Sequence, residues 1–183
     1  MLIVLRRIIE EVNSARDTNQ ALEIIVRRVK DAMSVDVCSI YLTDNNTQKL
    51  ILKATDGLNP DAVGKVGLSF GEGLTGLVRE REEPINLNDA SEHPRYHFFP
   101  ETNEEPYQSY LGVPIIHHRK VLGVLVVQRS RNQRFDEEEE TFLVTVAAQL
   151  ASAIVHAQAT GDISVGVETG GATDNRPPQG LPG

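Results

Sequence analysis

The sequence predicts an α+β domain in which helices flank an antiparallel sheet. Three observations carry that prediction. Apolar residues at helical spacing open the chain and recur near residue 150, runs of period two fill the middle, and polar turns rather than helical crossovers join the strand runs. With 183 residues, 40% apolar and 24% charged, the chain can bury one core, so one domain with a tail is expected.

Leu5, Ile8, Ile9 and Val12 fall at helical spacing, and a second series runs through Leu22, Ile25, Val26, Val29 and Met33. Asp17 with Gln20 three residues on predicts a capping box for that second helix. From Val35 the period becomes two. Val37, Ser39 and Tyr41 share one strand face, and Cys38, Ile40 and Leu42 share the other. Turn formers at 44–48 lead into a returning strand over 50–54, which makes a hairpin. Gly57, Pro60, Gly64 and Gly67 leave room only for a short strand around Val66 to Ser69. Leu74, Leu77 and Val78 predict a short helix ending before Pro84, then a brief strand from Ile85 to Leu87.

Residues 88–108 form a long polar loop with prolines at 94, 100 and 106 and aromatics at Tyr96, Phe98, Phe99 and Tyr107. A loop of that length in a compact domain is a functional candidate, and it is expected to be the most mobile internal segment. Tyr110 to Ile116 and Val121 to Val127, joined by the polar turn His117 to Lys120, predict a central hairpin. Asp136 with Glu139 caps a last helix that runs to about Ala157, and its acidic residues 137–140 suit a helix N-terminus. Domain boundaries are set at 1–158, with 159–183 as a linker rich in Gly, Thr, Pro and Asn.

The formal charge of -8 and pI near 5.1 argue against a nucleic-acid partner, whose binding rests on Lys and Arg neutralising phosphates. Cys38, the single cysteine, excludes an internal disulfide and a zinc site built on two thiolates. The first residues lack signal-peptide order, and no apolar run is read as approaching the ~20 residues a bilayer requires, so a cytoplasmic protein with no membrane partner is expected.

Gly71, Gly73 and Gly76 fit G-x-G-x-x-G, the dinucleotide fingerprint. That fingerprint needs a buried parallel strand entering the first glycine and a long helix leaving the third. Neither surrounds these residues, and the preferred reading is a tight loop against a helix N-terminus.

The order of elements, with "GEGLTGLVREREEPINLNDASEHPR" at 71–95, "YLGVPIIHHRKVLGVLVVQ" at 110–128 and "FDEEEETFLVTVAAQLASAI" at 135–154, resembles a GAF domain over residues 1 to about 158. Within that family the runs are similar to the sensory domains of nitrogen-type phosphoenolpyruvate-protein phosphotransferases. The resemblance implies a central six-stranded antiparallel sheet with helices on both faces and a small-molecule pocket on one of them. It also implies downstream phosphotransferase domains in the parent protein, toward which "GLPG" at 180–183 would lead, and a phosphorylated histidine beyond this chain.

Of the chemistries open to GAF domains, one is rejected by the residues and another is weakened. Reduction of free methionine sulfoxide needs a second thiol to resolve the sulfenic intermediate, and Cys38 stands alone as a small core residue. Asn132-Gln-Arg-Phe-Asp-Glu137 resembles a compressed cyclic-nucleotide motif, with Gln133 in place of lysine and no spacer before Asp136. A turn followed by a helix cap explains the same residues, and cyclic-nucleotide binding stays as an alternative. His93 and His97 have metal-like spacing, but Pro94 disfavours a helix there and no third ligand is near; with His117 and His118 they read as surface residues, and His156 lies near the C-terminus of the last helix, where a partial positive charge is favourable.

No catalytic residue, metal or cofactor is assigned. The candidate ligand-binding residues are Ser39 and Tyr41 on the first strand, Tyr110 and Gln128 on the central hairpin, and Thr75, Asn86 and Asp89 from the covering segment. The partners expected are a small-molecule metabolite, such as glutamine or 2-oxoglutarate, and a second copy of the chain. The second copy would dock through terminal helices, because the last helix is apolar or small on two faces. A ligand-free dimerisation module is the other reading left open.

Overall fold

The computed structural model describes residues 2–97, 100–102 and 107–160. Residues 161–183 of the expected linker and the aromatics Phe98 and Phe99 lie outside the described residues, while residues 159 and 160, assigned to the linker from sequence, continue the last helix. Two helices open the chain, α1 (Leu2–Asn13) and α2 (Thr18–Met33), followed by strands β1 (Val37–Asp44), β2 (Lys49–Asp56) and β3 (Gly67–Ser69). Helix α3 (Gly73–Arg81), strands β4 (Ile85–Leu87), β5 (Ser109–His117) and β6 (Lys120–Arg129), and helix α4 (Glu137–Thr160) complete the order.

The strands form one sheet in the order β3-β2-β1-β6-β5-β4, with neighbours antiparallel throughout. The two edge strands are three residues each. Period two sorts side chains between the faces as the sequence predicts. Cys38, Ile40, Leu42, Leu111, Leu125 and Val127 join α2 and α4 in a larger core, and Tyr41, Tyr110, Val124 and Val126 join α3 in a smaller one.

Local chemistry fixes the ends of the elements. Gln20 N–H donates to Asp17 Oδ1 at 2.8 Å, while the Gln20 side chain returns its bond to the Arg16 N–H at 2.6 Å, one residue earlier than a capping box requires. At α4 the box is complete: Glu139 N–H donates to Asp136 Oδ1 at 2.8 Å and Asp136 N–H to Glu139 Oε1 at 3.0 Å.

The expectation about apolar runs is corrected at α4, where Glu137–Ala157 is long and apolar enough, by length and composition, to cross a membrane. That character has a use within the fold, since Phe142, Leu143, Val146, Leu150 and Ile154 are buried in the larger core against β5 and α2. Ala151 belongs to the same buried side at 1% exposure, so it faces the core and not a partner. On the terminal helices the exposed large apolar residues, among those described, are Leu2 and Ile3 on α1, 80% and 72% exposed, and Val144 on α4, 42% exposed.

Candidate functional site

On the smaller-core face, α3 and the segment after β4 close over the sheet and leave a cavity of about 20 Å³. Tyr41, Thr75 and Tyr110 line it, and the Thr75 and Tyr110 hydroxyls lie 2.9 Å apart in a buried hydrogen bond. Glu72, Ala90, Tyr96 and His97 complete its cover. Among the described residues, the lining has one carboxylate, several hydroxyl groups and the His97 imidazole but no lysine or arginine. Its volume is that of about one water molecule.

The other predicted residues are placed as follows. Ser39 is fully buried on the same sheet face, and its hydroxyl lies 2.9 Å from that of Thr55. Gln128 is buried opposite Tyr110 on β6, beyond the cavity wall. Asn86 is not brought to the cavity, because it alternates with Ile85 and Leu87, which face the smaller core. Its side chain brackets Phe135, donating from Nδ2 to the carbonyl at 2.8 Å and accepting from the N–H at 3.2 Å. Asp89 caps the turn at Ala90–Glu92, accepting from the Ser91 N–H at 3.0 Å and from its hydroxyl at 2.6 Å.

The glycine stretch sets the cavity's edge. Gly71 and Gly73 have φ of +82° and +67°, and a Cβ on Gly76 would lie 2.8 Å from the Gly71 carbonyl carbon. The stretch is the tight loop at a helix start that the sequence predicts. Arg95 clasps it from the cover, donating to the Gly71 carbonyl and pairing with Glu80 at 3.3 Å. Arg79 stacks on the Phe70 ring with 3.4 Å to its centroid, and burial lowers its pKa against the opposing effect of Glu82.

Among the described residues no group of His, Cys, Asp or Glu is placed to hold a metal. His93 Nδ1 accepts from the Arg95 N–H at 3.0 Å. Burial, with a smaller contribution from Asp56, raises the Cys38 thiol pKa far above its ordinary value, which keeps the thiol protonated and unreactive. In the cyclic-nucleotide-like segment, Asn132 accepts from Asn88, the Gln133 N–H donates to Ser109, and Asp136 caps α4. Those residues are committed to structure.

Sequence reasoning missed a polar collar at the opposite face. Ser109, Asn86 and Arg129 hold the connection from β6 to α4 there, and Arg129 pairs with Glu139 at 3.0 Å with only 6% of its side chain exposed. A charge at a strand end reads as solvated, and only the fold shows that 131–135 wraps over it.

Two larger grooves lie elsewhere. One of about 560 Å³ runs between α1 and α4, lined by Leu5, Ile9, Val12, Val146 and Leu150 among others. Another of about 710 Å³ is bounded by Leu2, Leu5, Glu137, Thr141 and Thr145. Both are helix-face grooves remote from the sheet cavity.

Residues 17–154 match the family model described as GAF domain. The phosphoenolpyruvate-dependent phosphotransferase system protein of Salmonella typhimurium is 46% identical over 160 residues, covering 87% of this chain and 21% of that protein. This chain therefore spans about a fifth of that relative's length. The solved GAF domain from a phosphoenolpyruvate-protein phosphotransferase of Coxiella burnetii superposes with a TM-score of 0.85 and is 49% identical. That match covers 88% of this chain and 96% of that one. More distantly, the nitrogen fixation protein VnfA of Azotobacter vinelandii is 27% identical over 147 residues, covering 73% of this chain and 27% of that protein.

Proposed function

This chain belongs to the GAF domain family, and we propose that it is the regulatory, metabolite-sensing domain of a phosphoenolpyruvate-protein phosphotransferase. The observation that carries this reading is the 49% identity to a GAF domain of such an enzyme over 96% of its length. In the full protein, residues 1–158 would form the sensor and 159–183 the linker toward the phosphotransferase region, all in the cytoplasm. The chain alone has no phosphotransfer activity in this reading. Stoichiometric phosphohistidine after incubation with labelled phosphoenolpyruvate would overturn that part.

The ligand is a nitrogen-status metabolite, a choice supported by the similarity to a nitrogen fixation protein and to a Nif-specific regulatory protein. Of glutamine and 2-oxoglutarate, the lining favours glutamine. Glu72 and the hydroxyls of Thr75, Tyr41 and Tyr110 suit an ammonium and an amide, and no lysine or arginine of the lining would offset the two carboxylates of 2-oxoglutarate. At about 20 Å³ the closed cavity admits neither, so binding requires α3 and the cover to part where Arg95 clasps Gly71. A thermal-shift series with glutamine, 2-oxoglutarate and cyclic nucleotides tests this. Glutamine at roughly 100-fold above its Kd should add about 2.7 kcal/mol, or about 5 to 10 °C in a domain of this size. A shift with cyclic nucleotides alone would favour the alternative, and no shift with any of them would favour a ligand-free module.

A homodimer through the terminal helices is the second part of the proposal. The exposed Leu2, Ile3 and Val144 and the apolar groove between α1 and α4 support it.

A further inference from the structure

We propose that Asn86, Ser109 and Arg129 form a latch that makes the cavity's cover and the N-terminal end of α4 move as one unit. This deepens the sensor reading, on which its purpose rests, by naming how the state of the cavity would reach the helix that leads out of the domain.

The three residues sit on adjacent strands β4, β5 and β6, at the end of the sheet nearest the cover. Leu87 pairs with Tyr110 and Ser109 with Arg129. Each alternates with a residue of the smaller-core face, so the collar and the cavity wall are opposite faces of the same few residues of backbone. On the α4 side the grip is dense. Asn86 brackets both backbone groups of Phe135, and Arg129 Nη2 donates to the carbonyls of Gln133 and Arg134 at 3.0 and 3.1 Å. Arg129 also lies 4.0 Å over the Phe135 ring and pairs with Glu139 in the first turn of α4. On the cover side the Ala90 N–H donates to the Gln108 carbonyl at 2.7 Å, and the Gln108 N–H donates to the Arg129 carbonyl at 3.1 Å.

Ser109 stands between the two sides. It is fully buried, and its hydroxyl oxygen accepts from the Gln133 N–H at 3.0 Å. Three carbonyls lie within reach of its single proton: that of Asn88 at 3.0 Å, that of Gln133 at 2.9 Å, and that of Arg131. A hydroxyl donates once, so donation to Asn88 on the cover competes with donation to Arg131 or Gln133 before α4. The competing arrangements constitute a two-state element that both the cover and α4 can bias.

Hydrogen exchange on the 183-residue chain tests the latch without any ligand, so its outcome is independent of whether glutamine binds. Asn86→Ala removes bonds to Phe135 alone and touches nothing in the cover. If the latch holds, amides 90–93 and amides 140–143 both exchange faster, by at least about twofold, the low end of coupling within a shared hydrogen-bond network. Amides 124–127 of β6 stay unchanged. Acceleration confined to 140–143, no acceleration, or an equal rise in β6 overturns the proposal. Ser109→Cys, which keeps the size and weakens the donor, is read by the same three segments should Asn86→Ala fail to fold.

Discussion

Two sites, the hairpin tip at His118 and Arg119 and the buried Cys38, make stability statements of opposite kind. His118 and Arg119 form the tip of the β5–β6 hairpin with φ of 46° and 64°, the left-handed pair that a two-residue turn needs and that Asn-Gly adopts at least cost. Replacing them by Asn and Gly is expected to stabilise the chain by about 1 kcal/mol, given about 1 to 2 kcal/mol per left-handed residue. A thermal melt should then rise by about 2 to 4 °C. Cys38 acts through pH. Its folded pKa is raised by burial and by Asp56, so the folded state keeps a proton that the unfolded state releases above pH ~8.5. Its contribution is therefore flat below that pH and falls by about 1.4 kcal/mol per unit above it, until the folded thiol itself titrates. Denaturant titrations from pH 8 to 10 should show a slope that is smaller in Cys38→Ala by that amount; parallel slopes would refute it.

At the scale of elements, the β6–α4 connection depends on a buried ion pair. Glu139→Gln leaves the Arg129 guanidinium, 6% exposed, without its carboxylate, and is expected to cost about 3 kcal/mol in a urea titration. A loss below about 0.5 kcal/mol, usual for surface changes, would show the pair to be dispensable. The sequence made the strands and helices readable because period two and period 3.6 are written in apolar residues such as Val37 to Leu42 and Leu22 to Met33. It also made Tyr41, Thr75 and Tyr110 readable as a group, since alternation and the glycine turn point them to one space. Asn86 and Arg129 were not readable in the same way. Their roles are set by Phe135, 49 positions from Asn86, and by Gln133, Arg134 and Glu139, four to ten positions beyond Arg129, through a loop whose path no local pattern specifies.

For the whole molecule, the proposed dimer rests on the terminal helices. Ile3 and Val144 are exposed apolar residues on these helices, whereas Ala151, a small residue on the same helix as Val144, is buried in the larger core. Light scattering at micromolar concentration should give a dimer mass, and Ile3→Glu with Val144→Glu should reduce it to a monomer. A dimer that survives both substitutions would place the contact elsewhere. Ala151→Glu is no test, because a carboxylate there disrupts the monomer itself. The sheet's outer strands bear on the same question. A long open strand edge recruits foreign strands into mixed sheets and fibrils, and β3 and β4 each offer only three residues for such pairing. Copies of this domain crowded together are thereby denied the backbone route to one another, which leaves side-chain contacts between helices as the route open to the proposed dimer.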